Sequence, residues 1–156
     1  MNRYDDATRG TFQSEDRAKQ LVSFDGFKFN GRNGKANVTP TDIDGLIQLD
    51  NEDCFIFFEL KYSGGVAAGQ GCALEKLVDA VASGGKDCVL FVATHNTKAP
   101  KTIIAKDAIV NSLYWRGKWL QSSKGFNLLY AINSYIRFIN YERREAYKVV
   151  VSKEFT

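Results

Sequence analysis

Apolar positions along the chain fall into helical and strand-like rhythms that predict most of its elements. Ala73, Leu74, Leu77, Val78 and Val81 recur at helical spacing, and Gly84-Gly85 stops them. Cys88 to Ala93 is an unbroken apolar run rich in Val and Phe, the pattern of a strand buried on both faces. Gly45 to Leu49 suits a short strand and CFIFFELKY from Cys54 a central one, with the polar turn Asp50-Asn51-Glu52-Asp53 making them a hairpin. The helix between the second and third strands is long enough for a crossover. The third strand is therefore expected parallel to one hairpin strand, in the right-handed sense. Upstream, Ser14 caps a helix over residues 14 to 24 with Glu15 and Asp16 in its first turn, and a short strand is expected around Phe27 to Phe29. Downstream, the segment from Ile103 to Val110 is ambiguous, and YWRGKW suits a tight aromatic turn or a hairpin around Arg116-Gly117. An amphipathic helix spans Asn127 to Asn140, burying Leu128, Ala131, Ile132, Tyr135, Ile136 and Ile139, and Tyr147 to Val151 adds a closing strand. The fold class is α/β: a small mixed β-sheet with a central hairpin, flanked by helices.

Composition narrows the function classes. A length of 156 residues fits one domain, and 44% hydrophobic with 25% charged residues is ordinary for a globular chain. No apolar run approaches the roughly 20 residues a bilayer requires, and the polar N-terminus lacks a signal peptide's apolar stretch. An intracellular, cytoplasmic protein with no membrane partner is expected. Cys54, Cys72 and Cys88 have no CxxC spacing, so they read as reduced thiols. The single histidine, His95, excludes a two-histidine zinc site within one chain; just after a strand, it is expected as a loop residue rather than a catalyst. Charge is divided unevenly: residues 1–97 hold 10 basic against 14 acidic side chains, whereas residues 98–156 hold 11 against 4. An acidic part beside a basic part suits a metal-dependent enzyme acting on a polyanion.

The chemistry concentrates in TPTDIDGLIQLDNEDCFIFFELKYSGG. A hairpin turning near Asn51-Glu52 sets Asp44 beside Glu59 or Leu60, while Glu59 and Lys61 alternate onto one strand face. Two acids and a lysine at one spot on a central strand are costly without a compensating cation. Paired carboxylates prefer Mg²⁺, whose retained waters can act as nucleophile, and a lysine can orient that water or offset charge on a phosphate.

Asp44, then Glu59-Leu60-Lys61 after a hairpin, then Gln70 opening the next helix, resembles the PD-(D/E)XK nuclease superfamily, which includes Holliday junction resolvases, restriction endonucleases and phage-type nucleases. The resemblance covers residues 14 to 94 and implies a restriction-endonuclease-like αβββαβ core. It implies Asp44, Glu59, Lys61 and Gln70 as the catalytic set, with Asp44 and Glu59 holding Mg²⁺ or Mn²⁺ and Glu15 completing the metal site. Asp42 competes with Asp44 as the first acid. The expected activity is hydrolysis of DNA phosphodiester bonds, with branched DNA a candidate substrate, a homodimer the expected assembly and a phage the expected source. The alternative is a catalytically silent DNA-binding or protein-interaction module on the same fold.

Other readings of these residues fall away. An EF-hand register puts Pro40 and Asn51 where acids are required, and a P-loop register over Gly64 to Gly71 puts Gln70 in place of the lysine, so no nucleotide cofactor is expected. Lys98, Lys101 and Lys106 are candidate phosphate contacts, as are Arg116 and Lys118. Tyr114, Trp115 and Trp119 suit either nucleic-acid stacking or core packing.

Overall fold

A computed structural model describes residues 29–30, 37–38, 43–49, 53–63, 66, 68–99 and 101–154. The chain divides into two units, Met1–Pro40 and Thr41–Thr156. In the first, strand β1 (Phe29–Asn30) pairs antiparallel with β2 (Asn37–Val38), Phe29 opposite Val38. Phe29 therefore falls in a strand as expected, whereas Phe27 and the helix over residues 14 to 24 lie outside the described residues.

The second unit is a five-stranded mixed sheet with a helix on each face. Its elements are β3 (Gly45–Leu49), β4 (Cys54–Lys61), α1 (Ala68–Ser83), β5 (Asp87–Thr94), a 3₁₀ turn at Ala105–Asp107, β6 (Ile109–Trp115), β7 (Lys118–Gln121) and α2 (Leu128–Glu154). The strands lie in sequence order, antiparallel throughout except for the parallel β4–β5 pair that α1 connects. Alternation along β4 and β5 divides the core in two. Cys54, Ile56, Val89, Phe91 and Ala93 face Leu128, Ile132, Tyr135 and Ile139 of α2. Phe57, Cys88, Leu90 and Val92 face Leu74 and Val78 of α1. The double-sided burial expected of Cys88 to Ala93 is present, every residue of the run being buried.

Each helix has one end with an identifiable cap, and both helices depart from expectation. α1 starts at Ala68, taking in the glycine-rich stretch, and buries Gly71, Leu74 and Val78. Ala73 and Leu77, expected on the buried face, are exposed, because the stripe that meets the sheet runs through 71, 74 and 78. Gly85, at φ 78°, closes α1 in the left-handed conformation, its N–H donating to the Ala82 carbonyl at 3.0 Å. Asn127 caps α2, its Oδ1 accepting the Tyr130 N–H at 2.8 Å. The expected buried face of α2 is found, but the closing strand at Tyr147 to Val151 is not: those residues continue α2. Extending an existing helix needs no new nucleus, which outweighs the weak strand preference of a short valine run.

Two local irregularities shape the far side of the sheet. The β5–β6 register shifts between Val92 and Ala93, leaving Asn111 as an extra residue on β6. Trp115 opposes Lys118 across a two-residue loop in which Arg116 (φ 47°) and Gly117 (φ 75°) are both left-handed, the signature of a type I′ hairpin. Of the tight turn or hairpin expected there, the hairpin is found.

Candidate active site

The hairpin register decides which side chains meet. Gly45 opposes Phe58, so the next step outward carries Asp44 toward Glu59. Such close pairing depends on Gly45 lacking a side chain: a Cβ there would stand 1.9 Å from the Phe58 ring. The glycine of Asp-Ile-Asp-Gly thus makes room for a cross-strand ring within β3, beyond any role in a turn.

Glu59 sits among the odd-numbered residues of β4, on the face that α1 covers, and is 1% exposed. Its Oε1 accepts from Lys61 Nζ at 2.5 Å and from Gln70 Nε2 at 2.6 Å, while Lys61 Nζ also donates to Gln70 Oε1 at 3.0 Å. The three side chains close a ring. Gln70, third residue of α1, reaches β4 because the helix starts early enough to lay its first turn over the strand's end. Glu59 Oε2 is buried without a hydrogen-bond partner among the described residues. A buried carboxylate with one empty oxygen is expensive, and a cation is the natural complement.

Asp44 is exposed, and its Oδ2 accepts the backbone N–H of Leu60 at 2.7 Å. Its carboxylate thus reaches the main chain between Glu59 and Lys61 from the sheet's edge. Among the described residues no three His, Cys, Asp or Glu side chains converge. The donor set offered is two carboxylates, which suits a hard cation that retains water. Asp42 and Glu15 lie outside the described residues.

A cleft of about 980 Å³ opens beside this ring on the α1 face. In the parallel ladder Glu59 is level with Val92 and Lys61 with Thr94, and both partners line the cleft. Its near wall is tied to the site: the His95 N–H donates to the Lys61 carbonyl at 2.9 Å, and the imidazole meets the Tyr62 ring edge-on at 5.8 Å. A smaller cleft of about 460 Å³ shares Val92, Ser112 and Gln121 with it. Sequence reading set His95 aside and passed over Tyr62 and Asn111; the available signal was that both His95 and Tyr62 immediately follow strand ends.

The basic candidates divide. Lys98, Lys101 and Lys106 are exposed in the segment linking β5 to β6. Lys118 is exposed at the start of β7. Arg116 is engaged within the chain, paired with Glu142 at 2.6 Å and lying 4.2 Å over the Trp115 ring. The aromatics divide as well: Tyr114 is buried and donates to Asp79 at 2.9 Å, whereas Trp119 is exposed and its indole donates to Glu75. Burial and the Asp79 carboxylate push the Tyr114 hydroxyl above its usual pKa.

No described helix is long and apolar enough to cross a membrane. The chain matches no family model, and no curated protein or solved structure matches it either.

Proposed function

We propose that the chain is a divalent-metal-dependent DNA endonuclease of the PD-(D/E)XK kind, with Asp44, Glu59, Lys61 and Gln70 as its working groups. The observation that carries this reading is the Glu59 carboxylate, buried on an interior strand with Lys61 and Gln70 on one oxygen and no partner among the described residues on the other. The order hairpin, α1, parallel β5 supports a restriction-endonuclease-like core. Glu59 and Asp44 would hold Mg²⁺ or Mn²⁺, which when bound supplies an acidified water and screens charge on the phosphate.

The chain's own residues do the rest. Lys61 keeps a positive charge next to the buried carboxylate, where negative charge grows on the phosphate during attack. Gln70 holds Glu59 with its amide N–H and Lys61 with its carbonyl, so one side chain fixes both partners. Leu60 anchors Asp44 by its backbone, sparing a second buried charge. Lys98, Lys101, Lys106 and Lys118 supply phosphate contacts outside the reacting centre. A two-strand substrate such as a four-way junction needs two such sites, which an isologous homodimer provides.

Cleavage of supercoiled, linear, single-stranded and four-way-junction DNA with Mg²⁺ or Mn²⁺ tests the reading. Lys61→Ala and Glu59→Ala are expected to lose about 10²-fold or more in rate while remaining folded. Unchanged cleavage by either variant sinks it. The second reading, a silent binding module, draws on the absence of a three-ligand cluster among the described residues. A Mg²⁺ titration followed by thermal melting separates the two. A metal site occupied at a hundredfold its Kd stabilises by about 2.7 kcal/mol, and Glu59→Gln is expected to abolish that gain.

A further inference from the structure

We infer that the cleft beside Lys61 receives an unpaired nucleobase flanking the scissile phosphate, making single-stranded or locally unpaired DNA the preferred substrate. This rests on the nuclease reading for the reaction, but the pocket's chemistry stands on separate observations. Among the described residues that line the cleft there is no lysine or arginine, and its one charged side chain is the carboxylate of Asp107. Such a lining repels phosphate. It offers instead neutral hydrogen-bonding groups, from Thr94, Asn96, Asn111, Ser112 and Gln121. These are the partners that base edges require and a sugar-phosphate backbone does not.

Position and shape agree with that chemistry. Tyr62 is 51% exposed at the mouth, held edge-on by His95, so a ring face remains open for stacking. Ile104 and Ile109, both exposed, give the cleft apolar surface as well. The Thr94 hydroxyl donates to Asn111 Oδ1 at 2.9 Å, which leaves the hydrogens of the Asn111 amide nitrogen to a ligand. His95 Nδ1 accepts the Thr97 N–H at 3.3 Å, which places the imidazole proton on Nε2 as a further donor. Candidate phosphate-binding charge lies along the same segment: Lys98, Lys101 and Lys106 fall between lining residues Thr97 and Asp107, interspersed with Ile104, and all three lysines are exposed. A strand can thus place its phosphates on the lysines and turn one base inward. A stacked duplex cannot present a base this way without breaking a pair.

The test uses the full chain in EDTA, so that binding is measured without cleavage. Oligonucleotides carrying 2-aminopurine are compared as single strand, as duplex with one unpaired base, and as fully paired duplex. The single strand and the bulged duplex are expected to bind about tenfold or more tightly than the paired one, with a change in 2-aminopurine fluorescence. Tyr62→Ala is expected to remove about 5- to 100-fold of affinity for unpaired DNA, and Asn111→Leu to weaken it with an unchanged melting temperature; Tyr62→Phe should restore binding. Equal binding of all three DNAs, or full affinity in Tyr62→Ala, overturns the inference even if the protein cleaves duplex DNA. Preferential binding of unpaired DNA by a protein that never cleaves would sustain the pocket and sink the nuclease instead.

Discussion

Gly45 and Glu59 show how single positions on the hairpin carry the site. Gly45 exists to admit the Phe58 ring, and only with the strands that close does Asp44 reach the Leu60 amide. Gly45→Ala is expected to destabilise the chain by about 1–3 kcal/mol, because the ring or the strand must shift. It should also weaken Mg²⁺ binding, although residue 45 offers no ligand; urea unfolding with and without Mg²⁺ measures both effects. A variant as stable as the parent with undiminished Mg²⁺ binding would show that the close pairing is incidental. Glu59 follows the opposite logic. Its burial, with no partner for Oε2 among the described residues, lowers stability, a cost that the proposed metal site would offset. Period-two alternation made Glu59 and Lys61 legible as neighbours on one strand face, while Gln70 was implied only by the resemblance to the nuclease superfamily. It did not reveal that Asp44 would take a backbone amide, because side-chain hydrogen bonds depend on distances that alternation leaves open.

Elements with unmixed patterns were the readable ones. β5 is apolar throughout, and α2 repeats its apolar stripe from Leu128 to Ile139, so both emerged from periodicity alone. α1 begins two residues before Gln70, at Ala68, although Ala68 to Gly71 carry the composition of a loop; of the four only Gly71 is buried. β6 and β7 hid because their burial is irregular, broken by the Asn111 bulge, with every residue of β7 exposed. The double-sided burial of β5 has a pH consequence. Burial pushes the Cys88 thiol up to about 12 from an ordinary value of 9.0. The folded protein therefore holds a proton that the unfolded chain releases above pH 9, so this contribution to stability is complete below pH 9 and is lost as pH rises toward 12. Stability is expected to fall by up to about 1.4 kcal/mol per pH unit from this one group in that window. Urea unfolding between pH 8 and 11 should show a shallower decline in Cys88→Val than in the parent; parallel declines would assign the loss to other groups.

At the scale of the whole molecule, acidic side chains outnumber basic ones over residues 1–97 and the reverse holds over 98–156, so on the proposed nuclease reading DNA binding would depend on salt. Binding is expected to weaken linearly with the logarithm of salt concentration, and each of Lys98→Ala, Lys101→Ala and Lys106→Ala to lower the slope by about one. Arg116→Ala, by contrast, should leave the slope unchanged, since its guanidinium is already paired with Glu142. A slope unaffected by the three lysines would move the phosphate track elsewhere. The parallel β4–β5 pair has a consequence for how the protein is made. Asp44, Glu59, Lys61 and Gln70 all lie within one short stretch, yet the strand that pairs with β4 alongside Glu59 begins only at Asp87. A chain still leaving the ribosome displays the four groups in solvent, where their charges are screened and their geometry is unset. On the proposed reading, the site is thereby withheld from every incomplete copy, and synthesis of β5 completes it.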